Sequence, residues 1–134
     1  MLLSVLMLAQ AANLPPCDEQ AAEEDVQQAM NICAQHEFRR ADALLNEAWR
    51  DACAHMRAMD EAREDDPATR RDERPGYFET LLEAQRAWLR YRDAHCRSEG
   101  YYARGGSLEP LLVSTCQTEL TKARTEQLRE LTRP

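Results

Sequence analysis

Three histidines, five cysteines and 24 acidic residues are the side chains of this 134-residue chain best equipped for chemistry, so their spacing comes first. His36, His55 and His95 stand apart from one another, and none falls in a metalloprotease HExxH. The chain also lacks a GxSxG nucleophile elbow, a Walker-type phosphate loop and a GxGxxG fingerprint. Cys53 and His55 are two residues apart, which on a helix points them in different directions, and no CxxC or Cys/His quartet has zinc spacing. The acidic group Glu61, Glu64, Asp65 and Asp66 lacks the alternating oxygen ligands and the glycine of a calcium loop, and reads as a solvated face. The expectation is a protein that is not an enzyme and uses no metal or cofactor.

The cysteines point instead to covalent cross-linking. Cys17, Cys33, Cys53, Cys96 and Cys116 in a short chain read as a disulfide framework with one thiol left over. Several pairings are open to five cysteines. The separations 17 to 33 and 96 to 116 each close a short loop, and each such bond adds about 3 kcal/mol on the chain-entropy model. On that pairing Cys53 is the free thiol, a small buried hydrophobe.

Disulfides require an oxidising compartment, and the N-terminus agrees. Residues 1–9 are apolar and are followed by the small-x-small sequence Ala9-Gln10-Ala11, so residues 1–11 read as a signal peptide whose basic n-region is truncated. The apolar run is too short to span a bilayer. The expected product is an exported, periplasmic domain of residues 12–134 with no membrane insertion. A net charge of −7 argues against nucleic acid as a partner and favours a cationic protein.

What must position these residues is helical. Aromatic residues are only 6% of the chain and glycines number four, an alphabet that favours helices over a barrel or sandwich. Asp25 and Gln28 form a capping box, and Val26, Met30, Cys33, Ala41, Leu44, Leu45, Ala48, Trp49, Ala52, Met56 and Met59 recur at three and four to about residue 62. The charged stretch 63–75 with Pro67 and Pro75 is a connection. A second helix covers about 76–96, with Phe78, Leu81, Leu82, Gln85, Trp88, Leu89, Arg92 and Cys96 on one face. A loop over 98–106 follows, and then a third helix that Ser107 caps, with Pro110 in its first turn and an inward stripe of Leu112, Cys116, Leu120, Ala123, Arg124, Gln127, Leu128 and Leu131. The fold class is all-α, a small antiparallel assembly of about three helices stapled by disulfides.

Polar residues interrupt these apolar stripes. Asp42, Asn46, Gln85, Arg92 and Arg124 fall on inward or boundary positions, where an unpaired polar group is expensive. A network in which Asp42 meets Arg92 or Arg124, setting helix register, answers that cost. Trp49 and Trp88 read as core anchors.

These residues also carry a resemblance: Cys33-Ala34, Phe38, Ala41-Asp42, Leu45-Asn46 and Trp49, then Gln85-Arg86-Ala87-Trp88-Leu89, Tyr91-Arg92-Asp93 and Cys96, then Gly105-Gly106-Ser107, Cys116, Leu120-Thr121, Arg124 and Leu128. In order and spacing the ensemble resembles the lysozyme inhibitor LprI-like N-terminal domain family over about residues 17–131. Cys53 and the charged stretch 63–75 depart from the pattern. The resemblance implies a small exported helical protein whose partner is a lysozyme or another peptidoglycan hydrolase, blocked by stoichiometric occlusion. Host-type lysozymes are basic proteins with an acidic cleft, and a −7 chain is steered towards them. The alternatives are an immunity protein against a wall hydrolase and a non-inhibitory envelope adaptor. The matched positions look structural, so contact residues are sought in the loop 99–107: Tyr101, Tyr102, Arg104 and Ser107, tethered at both ends if Cys96 pairs with Cys116.

Overall fold

A computed structural model describes residues 14–17 and 25–134. The expected signal peptide, residues 1–11, lies outside the described residues. Three long helices make up the described chain, α1 (Val26–Asp65), α2 (Tyr77–Gly100) and α3 (Glu109–Leu131), with a 3-10 turn at Tyr101–Ala103. Among the described residues there is no strand, and no helix is long and apolar enough to cross a membrane.

Each boundary has a local cause. Asp25 caps α1, its Oδ1 accepting the Gln28 amide at 3.0 Å. Pro67 disfavours helical backbone in the residue before it, and Asp66 accordingly sits at φ −97° and ψ 113°, ending α1 three residues beyond the expected stop. The start of α2 has no capping side chain of its own. Asp60 supplies one from α1, its carboxylate accepting the amides of Tyr77 at 2.7 Å and Phe78 at 3.0 Å. A Cβ on Gly76 would lie 2.6 Å from that carboxylate, so glycine is what lets Asp60 reach the helix end.

α1 packs most extensively on α3, and α2 lies against both. The core is Leu45, Ala48, Ala52 and Met56 of α1, Leu81 of α2 and Leu128 of α3, with Trp49, Met59, Phe78 and Trp88 packed around it. The anchoring role expected of the two tryptophans is met by partial burial. The two disulfides are Cys17–Cys33 and Cys96–Cys116, and Cys53 is buried with a free thiol. Burial pushes the Cys53 thiol pKa up.

Several expectations are corrected. Val26, Met30 and Leu44 are exposed: the first turns of α1 precede its buried stripe, which runs from Ala41 through Leu45, Ala48, Ala52 and Cys53 to Met56, and Leu44 lies outside that stripe. α2 continues through Ser98 and Glu99 to Gly100 instead of ending near Cys96. Gly100 is helical, and a Cβ there would lie 2.5 Å from Val113 Cγ2, so its glycine serves close approach to α3. Ser107 does not cap α3, which begins at Glu109 after Leu108. The buried face of α3 is also rotated: Leu131 and Ala123 are exposed, while Thr118, Thr121 and Thr125 are buried. The hydroxyls of Thr118 and Thr125 donate to the carbonyls four residues earlier at 2.9 Å, which satisfies them and leaves their methyl groups to pack.

Candidate functional site

The sequence expectations concentrate at one end of the bundle, where α2 passes into α3. Cys96, about one turn before the end of α2, and Cys116, about two turns into α3, staple the two helices near the connection, and Gly100 brings their backbones together. Between them the chain is tied residue by residue. Arg104 N–H donates to Tyr101 O at 3.2 Å, Gly106 N–H to Ala103 O at 2.9 Å, and Glu109 N–H to Gly106 O at 3.3 Å. Gly105 takes φ 79°, which only glycine adopts without strain, and donates its N–H to the Glu109 carboxylate at 2.7 Å. Asn31 Nδ2 donates to the Ser107 carbonyl at 2.9 Å, fixing the turn to α1 as well.

This turn presents aromatic and cationic surface. Tyr102 is 89% exposed and Tyr101 45%, and the Arg104 guanidinium lies 4.4 Å over the Tyr101 ring. Further back along α2, Tyr91 stacks on His95 at 5.3 Å between ring centroids, and His95 Nε2 meets Glu99 Oε1 at 3.0 Å. Of the four contact candidates, Tyr101, Tyr102 and Arg104 form one exposed surface, whereas Ser107 contributes its backbone carbonyl to the turn's anchorage.

Behind the turn lies the polar network. The side chain of Arg92 is only 8% exposed, and its Nη1 donates to Asp42 Oδ1 and to Thr121 Oγ1, each at 3.4 Å, while Nε donates to Asp93 Oδ1 at 2.9 Å. Its guanidinium also lies 5.1 Å from the Phe38 ring and 5.2 Å from the Trp88 ring. One arginine of α2 thereby touches α1 and α3 together. Arg124 forms a separate pair, Nε donating to Gln85 Oε1 at 2.9 Å. Asn46 belongs to neither group; it faces outward on α1.

His95, Glu99 and Cys116 place one ligand atom each within 4.8 Å of one another. The Cys116 sulfur is bonded to Cys96, so it has no thiolate to offer a metal. His36, which carried no role in the sequence, donates from Nε2 to the Pro15 carbonyl, 2.7 Å away, and with Cys17–Cys33 it holds the segment 14–17 on α1.

The family model described as Lysozyme inhibitor LprI matches residues 17–128, a span that contains both disulfides, the Arg92 network and the turn. An uncharacterized protein of Rhizobium meliloti (strain 1021) is 45% identical over 121 residues, covering 87% of this chain and 84% of its own length. No solved structure matches the chain.

Proposed function

The chain belongs to the LprI lysozyme inhibitor family, and from that premise we propose that it is an exported periplasmic protein that blocks a lysozyme by seating the Tyr101–Ser107 turn over the catalytic cleft. The observation that carries this reading is the turn itself: two exposed tyrosines and an arginine on a connection fixed by a disulfide and by hydrogen bonds to α1 and α3. Such preorganisation lowers the entropic cost of binding, and Tyr and Arg are the residues most often found as interface anchors. The target's chemistry fits. A lysozyme needs two carboxylates at its cleft, to which Arg104 offers a positive charge, while the net charge of −7 steers the whole molecule towards a basic enzyme. The mechanism is occlusion, with no bond made or broken in either protein.

The test is lysis of peptidoglycan-bearing cells by a c-type lysozyme with increasing oxidised protein at modest salt. The expected result is a dose-dependent block that saturates near one equivalent, and replacing Tyr101 and Tyr102 by Ala should weaken it about tenfold or more. Full lysis at a large excess would refute inhibition of that enzyme, and an undiminished block by the double variant would move the contact surface off the turn.

A further inference from the structure

The opposite end of the bundle carries a groove of about 700 Å3, bordered by the last turns of α1 and α3 and the first turns of α2. That volume lies within the roughly 300–1,000 Å3 of small-molecule sites. Met56, Leu81, Tyr77 and Leu131 form its apolar part, and Asp72, Thr80 and Glu83 interrupt it. Three arginines stand around it, and two are already engaged. Arg63 donates to the Asp72 carbonyl, and Arg74 pairs with the Asp72 carboxylate at 2.6 Å.

Arg63, like Arg124, forms no ion pair among the described residues, and what sets Arg124 apart is a buried guanidinium nitrogen left without any partner. Arg124 bonds only neutral amides, Gln85 Oε1 through Nε and Gln127 Oε1 through Nη1 at 3.1 Å. Its Nη2 is closed off from solvent without any hydrogen-bond partner. Burial pulls its pKa below the ordinary guanidinium value, with no neighbouring carboxylate to restore it. A half-buried cation without a counter-ion is costly, and beside an apolar groove its natural complement is an anion that brings its own apolar tail. The other carboxylate of the groove, Glu83, is exposed at the rim.

We propose that this groove binds an aliphatic carboxylate, its headgroup on Arg124 and its chain along Met56, Leu81 and Leu131. Gln127 is exposed, so its bond to Nη1 is exchangeable. Turning the guanidinium about its terminal torsions releases that bond and brings two N–H groups to the two carboxylate oxygens, the geometry arginine favours. Nothing in this assignment depends on the turn at the other end.

Calorimetric titration of the oxidised protein with decanoate, below its micelle concentration, tests the assignment. One saturable site is expected, with acetate and the neutral decanamide each binding roughly tenfold or more weakly. Arg124→Gln should weaken decanoate by a similar factor, and so should Leu131→Glu, an exposed substitution that leaves the fold intact and decides the matter if the first variant melts early. The Tyr101→Ala/Tyr102→Ala protein should bind decanoate normally. Equal affinity for decanamide, unchanged binding by a folded Arg124→Gln or by Leu131→Glu, or the absence of a saturable site would each overturn the proposal.

Discussion

The two ends of the bundle are closed by different physics. At the Tyr101–Ser107 end the closure is covalent and backbone-based: Cys96–Cys116, a positive-φ glycine and successive main-chain hydrogen bonds. At the other end the connection 66–76 has no cross-link. It is held by Arg63 on the Asp72 carbonyl, Thr69 Oγ1 on the Arg63 carbonyl at 2.7 Å, Arg70 Nε on the Glu64 carbonyl at 2.7 Å, and Asp60 on the start of α2. Covalent closure holds its geometry whatever the salt or pH. Closure by side chains is conditional on their charge and on water, which suits a groove whose walls must adjust to a small guest better than a surface that must meet a protein already shaped.

That contrast can be broken most severely at the covalent end. Replacing both Cys96 and Cys116 by Ser should cost about 3 kcal/mol in urea unfolding, and lysozyme inhibition should fall with it. A full loss of stability with inhibition intact would separate the staple from the turn's function. Arg92 stands between the ends and tests whether they share one support. Arg92→Leu should cost about 2 kcal/mol, and a double-mutant cycle with Asp42→Asn should show coupling of about 1 kcal/mol. Zero coupling would reduce the 3.4 Å approach to mere proximity.

At the uncross-linked end, Asp60→Ala leaves two α2 amides without their acceptor and should cost about 1–2 kcal/mol, with faster amide exchange at Tyr77 and Phe78 and none of that change at Gly105. The smallest effect belongs to Asp72, whose carboxyl is held well below the usual carboxylate range by hydrogen bonds from Arg74. A depressed carboxyl stabilises the fold above its unfolded value near about 3.9 and loses that contribution as the pH falls through its folded value. Asp72→Asn should therefore melt slightly below the parent at pH 6, and the difference should shrink as the solution is acidified below the ordinary range. Both residues are exposed to solvent, so added salt should narrow it further.

How far the residues announced this structure differs with the kind of signal. The three helices, the two disulfides and the Asp42–Arg92 contact follow from periodicity, cysteine separation and the cost of leaving a buried charge alone. The threonine face of α3 escaped because a hydroxyl reads as polar until its bond to the preceding turn is seen. Asp60 escaped for another reason. A cap supplied from 17 residues away leaves no local mark, and one more acid near the end of a charged helix looks like solvated surface. Gly100 falls within the loop expected over 98–106 although it serves helix contact, since sequence shows a missing side chain without showing what fills the space. Within the turn, the exposure of Tyr101, Tyr102 and Arg104 was legible, whereas the anchoring of Ser107 by Asn31 joins residues 76 apart.

One feature of α2 bears on both ends at once. Its 24 residues span about 36 Å, and Arg124 of the groove lies 15 residues along α3 from Glu109, about 22 Å and nearly three times the roughly 8 Å over which charge is felt in physiological salt. A charged guest at one end is therefore electrically silent at the other. Any influence between them has to be mechanical, passed as strain along helices that the apolar core, the Cys96–Cys116 staple and the Arg92 contacts tie together.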